Sequence, residues 1–506
     1  MAQPGMLDWL AQRARLSPHR PALIFNDRAW SYSELNRLVA RLCSRLAAAG
    51  VEAGQHVAVL LPNRVETVGL IHALARLGAV LVPLNTRLTA PELAWQLRHS
   101  DSRLLICDRE TEATAASLPD LGLALFSVDP PQAAGLDALE RLPDLDAARW
   151  LGRPLDLAAR QGLIFTSGTT GRPKGALLTL ANHFWSATAS AFRLGTDPND
   201  RWLACMPLYH VGGLAIVWRC CLYGTTVVLQ AGFDPAAISR ALERHAVSLI
   251  SLVPTMLQRL LESHREALAA SRLRCLLLGG AAAPPALIEQ SLALKLPVAP
   301  TYGLTEAASQ VVTATPAEAG RKPGSVGRPL MFSTVEIVGA EGQPLPAGEI
   351  GEIVVSGPTV MEGYYRQPPA TAHVLKAGRL ATGDLGYLDE AGDLWLVQRR
   401  ADLIVSGGEN VYPAEVEAVL SGHPAVAEVC VVGLADEQWG QRVAAAVVLH
   451  RTASPPTEAE LIEFSRQHLA GYKQPRLIRL VEALPRTASG KIQREAVRRS
   501  LAASAQ

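Results

Sequence analysis

Residues 163–179, LIFTSGTTGRPKGALLT, place hydroxyl residues, glycines and a lysine between two apolar, strand-like segments. Glycines let backbone N–H groups approach an anion, hydroxyl groups donate hydrogen bonds to phosphate oxygens, and Lys174 adds a positive charge. The spacing differs from GxxxxGK[ST], and no helical pattern follows at once, which disfavours a P-loop. The stretch therefore predicts a phosphate-binding loop of another kind, with a flexible hairpin tip as the alternative.

The surrounding sequence predicts the elements that would position this loop. Short β-branched runs such as HVAVLL (56–61) alternate with helical patterns, and residues 64–78 place their apolar side chains largely on one helical stripe. The alternation returns at 247–253 and 273–278. Strands separated by helices of this length predict an α/β fold with parallel-rich sheets and helices on both faces.

The pattern changes twice toward the C-terminus. After about residue 330, glycine-punctuated strands such as GEIGEIVVSG (348–357) predict a small β-barrel-like region, and near residue 400 a compact α+β pattern begins. We therefore predict a large N-terminal domain over residues 1–400 and a small α+β domain over residues 401–506.

The composition excludes several other classes of protein. The 506 residues carry a formal net charge of +1, with 49% hydrophobic and 19% charged residues, so no general attraction to nucleic acid or anionic membranes is expected. The seven cysteines lack zinc-ligand spacings and are scattered, which indicates a reducing compartment. Because neither a signal peptide nor an apolar membrane span is evident, we expect a cytoplasmic protein.

Five segments, in order along nearly the whole chain, resemble the motifs of the adenylate-forming superfamily of acyl-CoA synthetases, carrier-protein adenylation domains and beetle luciferases. They are TSGTTGRPKG (166–175), TYGLTE (301–306), TGD (382–384), RRADLIVSGGENVYPAEVE (399–417) and PRTASGK (485–491). The resemblance implies an enzyme that uses ATP, Mg²⁺ and coenzyme A. A carboxylic acid would first become an acyl-adenylate and then a thioester.

The resemblance also assigns the nucleotide-binding residues. A carboxylate must attack the α-phosphorus of ATP, which requires neutralised phosphate charge and two aligned anions. Thr305 would contact the α-phosphate and Glu306 would coordinate Mg²⁺, which favours carboxylate and phosphate oxygens; by itself Glu306 also fits a helix N-terminal acid. The ATP-binding candidates are Thr166, Ser167, Gly168, Thr169, Thr170, Lys174, Gly280, Ala281, Ala282, Tyr302, Asp384 and Arg399.

Within this set, the resemblance gives different parts of ATP to different residues. The hydroxyl-rich loop and Lys174 would hold the β- and γ-phosphates, Tyr302 and residues 279–284 would form the adenine slot, and Asp384 with Arg399 would bind the ribose. Taken alone, Tyr302 is also an ordinary core residue type, and Asp384 after a glycine also fits a turn.

The C-terminal motifs imply residues for both half-reactions. Lys491 resembles the catalytic lysine that bridges the carboxylate and the α-phosphate during adenylation, although a lone lysine near a chain end is otherwise a solvated charge. In this family the mobile C-terminal domain rotates between the half-reactions, and Ala401 takes the hinge position. Gly407 and Gly408 would then line the tunnel for the thiol of coenzyme A.

The acid-binding segments most resemble the o-succinylbenzoate-CoA ligases of menaquinone biosynthesis. His210 takes the position of a gatekeeping residue beside the reacting carboxylate and joins Lys491, Glu306 and Thr305 as catalytic candidates. Since o-succinylbenzoate has a second carboxylate that is not activated, its pocket needs a cation. Arg219 is the candidate cation, with a surface position on a helix as an equal alternative. The acyl-pocket candidates are His210, Arg219, Gly303, Ser309 and Gln310.

Alternatives to this assignment stay open at this stage. The shared motifs also fit a synthetase for another aromatic or medium-chain fatty acid, and a stand-alone adenylation enzyme that serves a carrier protein. The sequence does not distinguish a monomer from a homodimer.

Overall fold

The computed structural model describes residues 6–144, 147–166, 173–281, 283–398, 403–450, 455–486 and 492–503. The chain divides into two compact units. The large unit comprises Met1–Thr86, Leu97–Ile164 and Gly175–Gln398, and the small unit comprises Arg87–Gln96, Phe165–Lys174 and Arg399–Gln506. The predicted domain boundary near residue 400 stays a prediction, because residues 399–402 lie outside the described ranges.

The α-helices follow in chain order. They are α1 (Trp9–Leu16), α2 (Tyr32–Ala48), α3 (Val65–Leu77), α4 (Ala90–His99), α5 (Glu112–Ala116), α6 (Leu180–Leu194), α7 (Val211–Tyr223), α8 (Pro235–Arg244), α9 (Pro254–Ser263), α10 (Arg265–Ala269), α11 (Pro285–Ala293), α12 (Pro316–Arg321), α13 (Pro368–Val374), α14 (Pro413–Ser421), α15 (Glu458–Arg466) and α16 (Arg494–Ala503).

The strands are numbered in the same way. They are β1 (Pro21–Phe25), β2 (Arg28–Ser31), β3 (His56–Val59), β4 (Val80–Pro83), β5 (Leu104–Cys107), β6 (Ala124–Ser127), β7 (Asp137–Ala138), β8 (Arg160–Thr166), β9 (Lys174–Thr179), β10 (Arg201–Ala204), β11 (Thr226–Leu229), β12 (Leu249–Leu252), β13 (Cys275–Leu278), β14 (Val298–Leu304), β15 (Ser309–Thr313), β16 (Arg328–Pro329), β17 (Thr334–Val338), β18 (Gly351–Ser356), β19 (Gly363–Tyr364), β20 (Leu375–Lys376), β21 (Arg379–Leu388), β22 (Leu394–Gln398), β23 (Ile404–Ser406), β24 (Glu409–Val411), β25 (Val426–Asp436), β26 (Gly440–Leu449) and β27 (Leu477–Leu480).

Two parallel-rich sheets form the frame of the large unit. One has nine strands in the order β16-β15-β14-β13-β12-β10-β11-β1-β2, and the other has eight in the order β19-β9-β8-β4-β3-β5-β6-β7. Their central pairs are parallel, antiparallel strands close both edges of the nine-stranded sheet and the β19 edge of the eight-stranded sheet, and β7 pairs in parallel with β6 at the other edge. Strands β17, β18, β20, β21 and β22 form a separate antiparallel sheet. This architecture confirms the predicted fold class.

Helix α7 shows why the sequence places the acid-binding candidates inside the core. Nearly every residue from Val211 to Cys221 is buried, because the helix is apolar on all sides and has no face for solvent. At Gly213 an added Cβ would lie 2.3 Å from the Pro207 carbonyl oxygen, so only glycine allows this close approach. The buried side chains of α2, α3 and α7 share one hydrophobic core with both large sheets.

The small unit has its own core around the long antiparallel pair β25 and β26. Leu484, Val497 and Leu501 pack against the apolar side chains of these strands. Within this unit, buried Lys473 makes ion pairs with Glu92 and Glu415 at 2.8 and 2.7 Å. No helix in the described parts of the chain is long and apolar enough to cross a membrane.

Candidate active site

The TYGLTE segment forms the turn between two antiparallel strands of the nine-stranded sheet. Tyr302 and Gly303 lie near the end of β14, which ends at Leu304, residues Thr305–Ala307 form a single 3₁₀ turn, and β15 begins at Ser309. The strands come so close that an added Cβ at Gly303 would lie 1.7 Å from the Ser309 carbonyl oxygen. This glycine therefore sets the tight geometry that presents Thr305 and Glu306.

Glu306 is held through both its side chain and its backbone. The Tyr364 hydroxyl donates to Glu306 Oε1 at 2.8 Å, and the Met361 backbone N–H donates to the Glu306 carbonyl oxygen at 2.9 Å. Thr305 begins the turn, and its carbonyl oxygen accepts a hydrogen bond from the Ala308 N–H at 3.1 Å. Glu306 thus lies in a one-turn segment with a fixed carboxylate, and its metal-binding role stays a prediction.

The structure brings together two predicted nucleotide ligands that are 82 residues apart in the sequence. The hydroxyl of Tyr302 donates to Asp384 Oδ2 at 2.8 Å. Asp384 lies on β21, where its backbone N–H donates to the Thr382 hydroxyl at 3.1 Å. The pair therefore presents an oriented acceptor of the kind that ribose hydroxyls require.

Gly280 and Ala281 follow β13, next to β14 in the parallel part of the sheet. Gly280 has a φ of +81°, and an added Cβ would lie 3.0 Å from a Val253 methyl group, so the backbone favours glycine there. Ligands of open α/β sheets bind beyond the carboxyl ends of the strands, which is where this segment lies. The role of this segment as the adenine slot stays a prediction.

Arg219 is a buried cation without an acidic partner. It is 1% exposed, its Nε has no hydrogen-bond partner among the described residues, and no described carboxylate forms an ion pair with it. Its Nη2 lies 3.5 Å from the Ser309 hydroxyl, and its guanidinium lies 5.5 Å from the Trp202 ring centroid. Burial lowers the pKa of Arg219 below its usual range. The alternative of a surface position is therefore wrong.

Other buried polar atoms lie on the same packed elements. Both ring nitrogens of His183, the indole nitrogen of Trp218 and Gln310 Oε1 have no partner within the described part of the chain. The rings of His183 and Trp218 have centroids 5.8 Å apart. Burial, and secondarily the charge of Arg219, lower the pKa of His183 to about 3, so its imidazole is neutral at physiological pH.

Sequence reasoning missed His183, although a local signal was present. His183, Ser186 and Ser190 recur at helical spacing on α6 and are all buried, so they form a polar stripe on a face directed into the core. Ser186 donates to the Ala308 carbonyl oxygen at 2.7 Å, which places this face against the start of β15. A polar stripe on a buried face is an uncommon pattern that indicates a polar pocket or network.

His210 lies at the N-cap of α7. Its ring contacts that of Tyr209 at 4.7 Å between centroids, and its carbonyl oxygen accepts the Leu214 N–H at 3.0 Å. Asn63 fixes the preceding loop, because its amide donates to the Met206 carbonyl oxygen at 2.9 Å and accepts the Leu208 N–H at 2.8 Å. The loop before α7 is thus held in place, and the gatekeeping role of His210 stays a prediction.

Four of the predicted site residues in the small unit lie within the described ranges, namely Thr166, Lys174, Gly407 and Gly408. The Thr166 hydroxyl donates to the Lys174 carbonyl oxygen at 3.4 Å, across the base of the predicted phosphate-binding loop. Gly407 and Gly408 form the turn between β23 and β24 with φ values of +60° and +84°. The remaining predicted site residues lie outside the described ranges: Ser167, Gly168, Thr169, Thr170, Ala282, Arg399, Ala401 and Lys491.

The described residues offer Mg²⁺ few protein ligands. Among the described residues, no group of three or more His, Cys, Asp or Glu side chains could hold a metal ion alone. Mg²⁺ that binds with a nucleotide needs only one or two carboxylates beside the phosphate oxygens. The fixed carboxylate of Glu306 fits that requirement.

Residues 10–365 match the AMP-binding enzyme family, and residues 415–491 match the AMP-binding enzyme C-terminal domain family. The chain belongs to the AMP-binding enzyme family. The family predicted from the sequence motifs is thereby confirmed.

Individual relatives of this AMP-binding enzyme extend over nearly its full length. A 2-succinylbenzoate-CoA ligase from Geobacillus kaustophilus is 45% identical and covers 98% of both chains. A double mutant of o-succinylbenzoate CoA synthetase from Bacillus subtilis, solved with its product analogue OSB-NCoA, has a TM-score of 0.86 and 38% identity, covering 98% of this chain and 99% of that one. The same synthetase, solved with ATP and a magnesium ion, has a TM-score of 0.71 and 39% identity, with 97% and 99% covered.

Proposed function

We propose that this AMP-binding enzyme is a 2-succinylbenzoate-CoA ligase, which uses ATP and coenzyme A and releases AMP and diphosphate. The proposal is supported by the name of the relative that is 45% identical over 98% of the chain, and it agrees with the activity predicted from the sequence. The B. subtilis synthetase that was solved with ATP and a magnesium ion supports the same nucleotide and metal. A cytoplasmic location is part of this proposal.

The observation that carries the proposal is the unpaired cation at Arg219. Moving an ionised group out of water costs several kcal/mol unless an opposite charge compensates it. The groups whose charge would offset Arg219 are Tyr223, Cys220 and Cys275, and burial raises the pKa of each to about 12. They are therefore neutral at physiological pH and do not compensate Arg219, which supports a ligand carboxylate as the compensating anion.

A dicarboxylic acid supplies this anion, and a fatty acid does not. One carboxylate of 2-succinylbenzoate is activated, and the other is available for a charge-assisted hydrogen bond with Arg219. Ser309 and Gln310 lie on β15, where Ser309 is within 3.5 Å of the guanidinium. A synthetase for a monocarboxylic acid would leave the buried charge uncompensated during turnover.

In the first half-reaction, an oxygen of the succinyl carboxylate attacks the α-phosphorus of ATP, and the bond between that phosphorus and diphosphate breaks. Asp384, which is oriented by Tyr302, accepts hydrogen bonds from the ribose hydroxyls. Glu306 provides the protein carboxylate that binds the metal. Mg²⁺ neutralises phosphate charge and polarises the phosphoryl oxygens. Lys491, by family resemblance, stabilises the charge of the pentavalent transition state.

In the second half-reaction, the thiol sulfur of coenzyme A attacks the acyl carbon of the adenylate. The thioester bond forms as the acyl–phosphate bond breaks, AMP leaves, and the thiol proton is released to solvent. The glycine turn at Gly407 and Gly408 is the proposed passage for the thiol, and Ala401 is the proposed hinge. A side chain does not fit at Gly407, because an added Cβ would lie 2.7 Å from the Trp439 ring.

A matched pair of acids tests the proposal most directly. The compound 4-oxo-4-phenylbutanoate equals 2-succinylbenzoate without the ring carboxylate, so the two differ only in the group assigned to Arg219. Since a hydrogen bond to a charged group contributes about 1.5–3 kcal/mol, we expect roughly a 10- to 100-fold higher kcat/KM for 2-succinylbenzoate in CoA-dependent AMP formation. Equal use of both acids, or preference for octanoate, would contradict the proposal. Diphosphate release without any CoA thioester would instead indicate a carrier-protein partner.

A further inference from the structure

Residues 361–365, MEGYY, contact Glu306 on one side and strand β9 on the other. On the Glu306 side, the Tyr364 hydroxyl donates to Glu306 Oε1 at 2.8 Å, and the Met361 N–H donates to the Glu306 carbonyl oxygen at 2.9 Å. The side chain and the backbone of one residue are thus held by the same short segment.

On the other side, strand β19 pairs with β9 in an antiparallel manner. Gly363 lies opposite Leu177 and Tyr364 opposite Ala176. The Tyr365 N–H donates to the Gly175 carbonyl oxygen at 2.8 Å, and the Glu362 N–H donates to the Leu177 carbonyl oxygen at 3.1 Å. Since β9 directly follows the predicted phosphate-binding loop in the chain, Glu306 is connected to that strand through the Tyr364 side chain.

The segment itself has little freedom. Tyr364 is 7% exposed, and its N–H donates to the Thr371 hydroxyl at 2.9 Å. Gly363 has a φ of +148°, and an added Cβ would lie 2.6 Å from the Thr371 methyl group, so only glycine fits before Tyr364. The phenol therefore occupies a position that the backbone determines.

We infer that Tyr364 is a positioning residue for the metal-binding carboxylate of Glu306. The inference rests on the role of Glu306 in the proposed function. A glutamate side chain loses rotamer freedom when it is ordered, and a hydrogen bond that fixes it beforehand reduces this loss on metal binding. Partners of this kind orient metal ligands, and their removal typically lowers metal affinity by about 10- to 100-fold.

Tyr364→Phe tests this role in the full-length chain. The variant keeps the ring, the strand pairing and Glu306, and it removes only the hydroxyl. We expect the Mg²⁺ concentration for half-maximal ATP–diphosphate exchange to rise about 10-fold or more. The KM for the acid should stay unchanged, and most of kcat should return at saturating Mg²⁺. A merely structural role would not produce this dependence on Mg²⁺.

The adjacent residue supplies a matched control. Tyr365 also loses a hydrogen bond to a carboxylate when changed to Phe, because its hydroxyl donates to Asp101 Oδ2 at 2.7 Å. Tyr365→Phe should retain the wild-type Mg²⁺ dependence, since Asp101 has no assigned part in the reaction. An unchanged Mg²⁺ dependence in Tyr364→Phe, or equal shifts in both variants, would overturn the inference.

Two further measurements separate this inference from the proposed function. Calorimetric titration of ATP at several Mg²⁺ concentrations requires no acid, and Tyr364→Phe should show weaker metal-dependent ATP binding there too. In a Glu306→Gln background, Tyr364→Phe should change the Mg²⁺ concentration for half-maximal exchange by less than about twofold, because residues that act through each other are not additive. If the wild type rejects 2-succinylbenzoate, the proposed function fails, and the calorimetric comparison still decides the role of Tyr364.

Discussion

Two sets of polar side chains in the large unit differ in how they are satisfied. The nucleotide set consists of Tyr302, Glu306, Tyr364 and Asp384, and its carboxylates accept hydrogen bonds from tyrosine hydroxyls at 2.8 Å. The two members of each pair lie on different elements that are distant in the sequence, so long-range packing fixes the orientation of each carboxylate. The protein itself therefore orients the carboxylates of this set, without a ligand.

The acid set consists of His183, Trp218, Arg219 and Gln310. Each has a buried polar atom without a hydrogen-bond partner in the described ranges. Unsatisfied buried groups of this kind typically cost about 1–3 kcal/mol each, and charged ones cost more. The protein therefore has groups here that a polar ligand can satisfy.

The difference assigns separate tasks to the two sets. Adenylation of any acid needs the same aligned nucleotide and metal, which favours carboxylates that are oriented in advance. Discrimination between acids needs groups that are penalised when the wrong ligand leaves them unpaired. We therefore expect substitutions in the nucleotide set to affect all acids alike, and substitutions in the acid set to affect the dicarboxylic acid selectively.

The largest effect is expected for Glu306→Gln. The amide keeps the shape and can still accept the Tyr364 hydrogen bond, but it removes the negative charge that binds the metal. ATP–diphosphate exchange should fall about 10²- to 10³-fold with every acid that the wild type accepts. Full activity with an unchanged Mg²⁺ dependence would show that Glu306 caps the short turn and does not bind the metal.

Arg219→Met tests the acid set with a side chain of similar length and no charge. The KM for 2-succinylbenzoate should rise roughly 10- to 100-fold, whereas that for 4-oxo-4-phenylbutanoate should stay nearly constant. Steady-state kinetics with both acids measures this difference.

The same variant should leave the stability of the unliganded protein equal or higher, because a buried charge without a partner has been removed. Thermal unfolding without ligands checks this expectation. A comparable loss with both acids, together with a lower melting temperature, would mean that Arg219 supports the core.

Local sequence patterns predicted the elements of this site well. The apolar stripe over 64–78 corresponds to α3 (Val65–Leu77), and the phosphate-loop segment lies between strands β8 and β9, as its apolar flanks indicated. Such features depend on neighbours within a few residues, which the sequence displays directly.

Contacts between distant segments were not predictable in the same way. The hydrogen bond from Tyr302 to Asp384 joins residues 82 positions apart, and that from Tyr364 to Glu306 joins residues 58 apart. Only the packing of elements that are distant in the sequence creates these pairs. The sequence does not decide whether Arg219 is buried, because one cation in an apolar helix fits either a pocket or the surface. The absence of a polar face on α7 is the local signal that could have favoured the pocket.

His183→Phe tests the acid set by its effect on the free energy of unfolding. The ring keeps its approximate shape, and both unpartnered nitrogens are removed, so stability at pH 7 should be unchanged or slightly higher. Burial also lowers the pKa of His72 to about 4, beside the value of about 3 for His183. In the unfolded chain, histidine has a pKa of about 6.5.

These depressed pKa values determine the sign of the pH dependence. Below about pH 6.5 the unfolded chain binds protons that the folded chain does not, so stability is lost as the pH falls toward the folded values. Each histidine should contribute a slope of about 1.4 kcal/mol per pH unit. Urea unfolding at pH 7, 6 and 5 should show that His183→Phe has the smaller acid slope. Identical slopes would mean that His183 gains a proton or a partner in the folded state.

The smallest effect is expected for Ser309→Ala. The Ser309 hydroxyl lies 3.5 Å from Arg219 Nη2, at the limit of hydrogen-bond distance, so its contribution to the position of the guanidinium should be small. Ser309 has a φ of +95°, and alanine keeps the same backbone strain, which glycine would relieve. The KM for 2-succinylbenzoate should therefore rise less than about threefold, since a weak hydrogen bond contributes at most about 0.5 kcal/mol. If Ser309→Ala instead equals Arg219→Met in its effect on this acid alone, the hydroxyl and not the guanidinium makes the main contact with the second carboxylate. The acid set would then select its ligand through neutral donors, and the uncompensated charge of Arg219 would need another explanation.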